Sequence, residues 1–200
     1  MAGFQTIFDI QQSMEVNNRR TTGIQVARSG YVTAADYLTA VPFVFTVKPH
    51  EYLYYNDVRD VIQSIDNSDR TIPQTITFNT DNLKWFTTNR GTATSATLAS
   101  TPVANSQTLS LSSNGTYKAG DWIQIGNYPY KVTADSAGST VYIHRPVIGS
   151  PTAGATVIVG VNVTFQVIAD QCPTYKVNPA PQGAFVEWSD DFVFREYITG

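Results

Sequence analysis

The segment Asn56–Asp66, NDVRDVIQSID, limits the possible folds of this chain more than any other stretch. Val58, Val61, Ile62 and Ile65 fall at i, i+3, i+4 and i+7, which places all four on one face of a helix. Asn56 supplies a side-chain oxygen for an N-cap, and Asp57 and Asp60 put negative charge near the positive end of the helix dipole. Asn67-Ser68-Asp69 then offers turn chemistry, and Pro73 excludes further helix. So short a helix is marginal in water, so its apolar stripe must lie against something else. The flanking sequence alternates like β-structure. The chain therefore reads as strands wrapped around, or laid against, one helix.

Phe43, Phe45 and Val47 alternate in a strand that follows Pro42 and is closed by Pro49. Thr75–Phe78 and Leu83–Phe86 read as two further short strands. Residues 1–40 stay open: Phe4, Ile7 and Phe8 have helical spacing, whereas Phe8 and Ile10 alternate. Two turn-like breaks follow, Asn17-Asn18-Arg19-Arg20-Thr21-Thr22-Gly23 and Arg28-Ser29-Gly30. At Thr87 the composition changes to TTNRGTATSATLASTPVANSQ, the small, polar character of a linker or surface loop. Beyond it, short strands alternate with turns, Asn114-Gly115 and Gly126-Asn127 among them, at the spacing of a small β-barrel or sandwich.

The longest alternation comes next: Val157, Val159, Val161, Val163, Phe165 and Val167. At about 3.3 Å per residue its eleven residues would span ~35 Å, long for a strand. Gly160 is the expected bend, where the chain passes from the small module to the main body. Phe185–Ile198 then closes the chain as an aromatic strand or hairpin, with Asp190-Asp191 as its turn. The expected fold is mainly β: a β-sandwich or barrel body from residues 1–95 and 160–200 with one short helix (about 56–66), interrupted by a small β-module at 100–159. Two sequential domains are the alternative.

Composition narrows the function. Charged residues are 14% of the 200, against roughly 25% in an average soluble domain, so much of the surface is neutral and polar or ends up against partners. A net charge of −3 makes no electrostatic case for wrapping DNA or docking on an anionic membrane. The opening MAGFQTIFDIQQSM has neither a basic nor an apolar signal region, so no signal peptide is expected. The single cysteine, Cys172, excludes an intramolecular disulfide framework and any CxxC pair.

No GxSxG elbow, Walker loop, GxGxxG or HExxH is present, and the only histidines are His50 and His144. Glu187, Asp190, Asp191 and Glu196 hold the set of carboxylates from which a glycosidase pair would be drawn, but sequence does not set their separation. No enzyme, metal or cofactor is expected. Arg19, Arg20 and Arg28 are the only basic cluster and read as a partner contact or solvated loop; in a nucleic-acid reading Tyr31 or Phe4 would stack beside them. The tyrosines of the run Tyr52, Tyr54 and Tyr55 are interface anchors or half-buried core. Trp122, Tyr128 and Tyr130 would carry a glycan-binding reading if exposed, although the alternation of Tyr128, Tyr130 and Val132 favours their burial together.

The opening FQTIFDIQQSMEVNNRRTTGIQVARSG, the strand AVPFVFTVKP and the terminal EWSDDFVFREYI resemble virion proteins of contractile-tailed phages. The likeness is to tail tube initiators, the baseplate-to-tube junction proteins whose body is related to the tail tube subunit. The segment TLSLSSNGTYKAGDWIQIGNYPYKVTADSAGSTVYIHRPV resembles the small β-modules inserted in many phage tail proteins. The resemblance implies a structural subunit that forms a ring, normally a homohexamer, by bringing edge strands of neighbours together. It implies tail tube and baseplate hub proteins as partners, with a tape-measure protein as a further candidate. DNA would meet the chain only by passage through the lumen. The location implied is the virion tail, after synthesis in the host cytoplasm. Under this reading Phe43, Phe45, Val161, Val163 and Phe165, with Arg19, Arg20 and Arg28, are candidate interface residues. Thr46, Asn162, Thr164 and Gln166 are candidates to face the lumen. A tail-borne glycan-binding module and a head-to-tail terminator or connector ring are the alternatives.

Overall fold

The computed structural model describes residues 3–18, 22–26, 32–36, 40–50, 53–67 and 72–199. The fold is mainly β, with 46% strand and 13% helix, and three helices among the described residues. In chain order the elements are helix α1 (Gly3–Asp9) and strands β1 (Gln11–Asn17), β2 (Thr22–Val26), β3 (Val32–Asp36), β4 (Val44–Pro49) and β5 (Leu53–Tyr54). Helix α2 (Tyr55–Asn67), strand β6 (Gln74–Thr77), helix α3 (Lys84–Thr87) and strand β7 (Ala96–Thr97) follow. Then come β8 (Thr108–Tyr117), β9 (Trp122–Ile125), β10 (Tyr128–Lys131), β11 (Ser136–Tyr142) and β12 (Thr156–Val159). The chain ends in β13 (Thr164–Gln171), β14 (Tyr175–Ala180), β15 (Gly183–Trp188) and β16 (Phe192–Glu196).

A curled five-stranded antiparallel sheet, ordered β1-β4-β16-β13-β6, organises the body. Period-2 alternation turns Phe45, Val47, Ile76, Phe165, Val167, Phe192 and Phe194 to one face, where all are buried. Helix α1 covers that face. Phe4, Ile7 and Phe8 share one side of it and are buried, with the Phe8 ring 5.0 Å from Phe194 and 5.7 Å from Phe45. Helix α2 forms where its stripe predicts, starting one residue before Asn56. Val58 and Ile62 pack with Val186 of the three-stranded sheet β14-β15-β5, and Val61 joins the main core. Strands β2 and β3 pair only with each other among the described strands.

Residues 87–160 build a second core around Leu98, Leu109, Leu111, Tyr117, Ile123, Tyr130, Val141 and Val157. A four-stranded sheet, β10-β9-β12-β7, and the long pair β8–β11 enclose it. Gly126-Asn127 is the β9–β10 hairpin turn, with Ile125 opposite Tyr128 and Gly126 at φ +58°.

Several local expectations are corrected. The Leu83–Phe86 stretch is helical, because Thr80 O accepts from both Leu83 N and Lys84 N and winds the chain. That tucks Leu83 and Phe86, three apart, toward the main core. Asn114-Gly115 lies inside β8, not in a turn; Gly115 is opposite Gly138, and a Cβ on it would sit 2.8 Å from Ala93 Cα. Asp190-Asp191 closes no hairpin, since β15 and β16 belong to different sheets. The stretch after Thr87 is strapped down, with Ala93 and Leu98 buried in the second core. The Val157–Val167 alternation, by contrast, divides where expected, into β12 and β13. Gly160, at φ +82°, turns the chain from the sheet of β12 into that of β13.

Candidate functional site

The curled sheet has a second face, and nothing on it is fully buried. Thr46, Thr75, Gln166, Val193 and Arg195 stand there by register, with Glu15 opposite Thr46 on β1. Gln166 Nε2 donates to Thr75 Oγ1 at 2.6 Å, and Arg195 Nε donates to Asp170 Oδ2 at 2.7 Å. Val44 and Ile168 stand on this face as well, half-buried like Val193, so a largely polar, hydrogen-bonded face on one side and seven buried apolar residues on the other make the sheet a wall. Its two ends, β1 and β6, each have one pairing edge with no strand against it among the described residues.

The structure divides the sequence candidates. Thr46 and Gln166 share the polar face, whereas Asn162 is exposed in the turn between β12 and β13. Thr164 is engaged by the second core's sheet: Gln124 Nε2 donates to its Oγ1 at 2.8 Å, and Thr164 N donates to Gln124 Oε1 at 2.7 Å. Phe43, Phe45, Val163 and Phe165 are buried in the chain's own core, so their side chains present nothing to a neighbour; Val161 is exposed. Moreover β4 and β13 are interior strands, paired on both sides, so the outer edges of the sheet belong to β1 and β6 instead, and Gln5 of α1 already bonds Thr77 N and O on the β6 edge. Arg19, Arg20 and Arg28 lie outside the described residues, as do Tyr31 and Tyr52.

The junction between the two cores carries a feature that sequence reasoning did not single out. Arg145 and Glu196, 1% and 3% exposed, form a forked ion pair at 2.6 and 2.8 Å. Arg145 Nη2 also donates to Pro129 O at 2.7 Å, and Glu196 Oε2 accepts from Phe43 N at 3.1 Å. Only an arginine offers two parallel N–H donors to a carboxylate and keeps a flat face for stacking. Here the guanidinium carbon sits 5.3 Å from the Tyr130 ring centre and 5.9 Å from that of Phe43. The available signal was a charged residue, Arg145, in an otherwise apolar alternation after Ile143, but its partner is 51 positions away. Trp122 completes the junction by leaving its own strand's module to pack at 5.2 Å from Phe43 and 5.3 Å from Phe165.

Asp121, just before Trp122, explains the GDW part of the motif. Its buried carboxylate accepts from the backbone N–H groups of Arg90, Gly91 and Lys118 at 2.8, 3.1 and 2.8 Å. It therefore ties the entering strap to the module. Of the aromatics a glycan platform would need exposed, Trp122 and Tyr130 are buried and Tyr128 is half-buried with its hydroxyl on Thr199.

A groove of about 700 Å³ lies on the outer side of β15, between Glu187, Trp188, Asp190 and Asp191 and the His50 end of β4. Three of the four C-terminal carboxylates meet at this groove, and Glu196 does not. Glu187 accepts from Asn178 Nδ2 at 3.0 Å, and Asp190 accepts from Asp191 N and Gln171 Nε2 at 2.8 and 3.1 Å. Among the described residues no three His, Cys, Asp or Glu side chains converge as metal ligands. The groups whose ionisation the fold perturbs lie elsewhere. Burial pushes the Tyr117 and Tyr130 hydroxyls up, and the Lys118 ammonium bonded to Asp135 holds that carboxyl low.

The chain matches no family model, and no curated protein is significantly similar to it. Among the described residues no helix is long and apolar enough to cross a membrane.

Proposed function

We propose that this chain is a structural subunit of a phage tail that closes into a ring at the baseplate–tube junction and nucleates or extends the tail tube. The observation that carries the reading is the curled sheet, with one face buried on its own core and the other largely polar, Val44, Ile168 and Val193 excepted. Among the described residues its two terminal strands, β1 and β6, each lack a second strand, and Gln5 of α1 bonds only the Thr77 part of the β6 edge. A wall of this kind suits a lumen: neighbours continue the sheet through the free edges, and the polar face lines the passage. Unpaired edges are ordinarily blunted by charge, proline or a covering element. Here β1 carries Glu15 alone; β6, Gln-Thr-Ile-Thr, carries neither charge nor proline, but on its outer edge the Gln5 side chain of α1 accepts from Thr77 N at 2.8 Å and donates to Thr77 O at 3.2 Å, a contact that an incoming strand would displace. The low charge density of the chain agrees with extensive surface buried between subunits.

The deciding experiment is an electron-microscopy reconstruction of the particle that carries the chain, counting copies in one layer. Six copies around the tail axis, with strands continuous from one copy to the next, is the expected result. Copies at a peripheral tip, or neighbours without strand pairing, would sink the proposal.

A further inference from the structure

We infer that the groove beside β15 receives the basic segment of a second copy of this chain, residues 17–36, with arginines meeting the carboxylates of Glu187, Asp190 and Asp191. The inference rests on the ring-subunit reading and names a contact within it. Two aromatic side chains line the groove: Phe185, whose ring centre is 4.7 Å from that of the exposed Tyr54, and Trp188, three positions farther along and on the other face of the strand. The carboxylates stand along the same strand and its exit. Glu187 and Asp190 accept only neutral amide donors, and the half-buried Asp191 carboxylate accepts no hydrogen bond among the described residues. None of the three is in an ion pair among the described residues. Carboxylates next to flat aromatic faces are the surroundings a guanidinium recognises, by forked hydrogen bonds and by stacking.

The chain itself holds the complementary piece. Its only basic cluster, Arg19, Arg20 and Arg28, lies in the sequence immediately before β2 and between β2 and β3. These two strands form a ribbon that pairs with no other described strand. A two-stranded ribbon is marginal alone in water, so it gains from an external support. The cluster and the groove thus carry opposite charge on one chain, the complementarity that a contact between two copies needs. Lys48 and His50 also line the groove, and neither is in an ion pair with Glu187, Asp190 or Asp191.

The test titrates a fluorescent peptide of residues 17–36 into the full-length chain. Saturable binding is expected. Changing Asp190 and Asp191 together to Asn should weaken it about tenfold, the order of magnitude for losing charge-assisted hydrogen bonds at a partly exposed site. A peptide with Arg19, Arg20 and Arg28 changed to Gln should weaken to the same degree, and Asp135→Asn, at a separate exposed carboxylate, should leave affinity unchanged. Melting temperatures of the variants establish that each is folded. Absence of saturable binding, equal binding of a scrambled peptide, indifference to the Asp190/Asp191 change, or displacement by a neutral oligosaccharide would each overturn the inference. A six-copy ring whose groove ignores the peptide removes this contact alone. Peptide binding by a chain that builds no ring removes the ring reading alone.

Discussion

Replacing Arg145 by Met removes the cation from the junction of the two cores while keeping most of the side-chain volume. Glu196, 3% exposed, would then lose both guanidinium bonds, at 2.6 and 2.8 Å, and retain only the Phe43 N–H at 3.1 Å. The Pro129 carbonyl would lose its 2.7 Å donor as well. Breaking a buried pair from one side strands a charge in a medium that solvates it poorly, which costs about 3–5 kcal/mol. For a chain of this size, that corresponds to a fall in melting temperature of roughly 6–20 °C. Glu196→Gln alone should cost a similar amount, since it leaves the guanidinium buried without its counter-charge. The double variant Arg145→Met/Glu196→Gln should lose clearly less than the sum, because no charge remains buried and the new amide oxygen still accepts from Phe43 N. Urea unfolding followed by tryptophan fluorescence suits the measurement, as Trp122 packs against Phe43 at this junction. A single variant within about 1 kcal/mol of the parent, or a double variant equal to the sum of the singles, would refute the argument that this pair pins the cores together.

Two further predictions concern the buried tyrosines and the turn at Gly160. Tyr117 is fully buried and its hydroxyl has no hydrogen-bond partner among the described residues, whereas the Tyr130 hydroxyl accepts from Ile148 N at 2.9 Å. Tyr117→Phe should therefore be neutral or stabilising, and Tyr130→Phe should cost about 1 kcal/mol, measured by the same unfolding assay. Because burial raises both hydroxyls above the ordinary value of 10.0, their contribution is fully present below that pH. It is lost as pH rises through the folded-state values, so the parent should melt progressively lower above pH 10 and Tyr117→Phe should blunt that loss. Gly160→Ala should cost about 1–2 kcal/mol, since φ +82° strains any L-residue and the added Cβ would stand 3.3 Å from Asn89 Cβ. Unchanged stability would show that the turn relaxes to another conformation.

The sequence alone carried those features whose cause is local. The stripe Val58, Val61, Ile62 and Ile65 makes an amphipathic helix whatever lies beneath it, and Phe43, Phe45 and Val47 alternate like a strand in any sheet. Gly126-Asn127 turns a hairpin because its own backbone allows it. Where two local solutions were close in energy, the pattern misled. Leu83 and Phe86 satisfy a short strand or a single helical turn, and Thr80 O decided between them. Asp190-Asp191 has turn chemistry, but the strands on either side join different sheets.

Tertiary structure alone decided which alternating strands are interior and which keep free edges, because alternation reports a buried face and is silent on the number of neighbours. It also decided that Phe45 and Phe165 belong to the chain's own core, and that Thr164 meets Gln124 while Gln166 meets Thr75. The Arg145–Glu196 pair and the groove at Glu187, Asp190 and Asp191 arose the same way, from residues that folding brings together out of separate strands. Periodicity along a chain records which face each residue takes in its own element. Which faces and edges meet depends on packing between distant segments, and no local pattern encodes that.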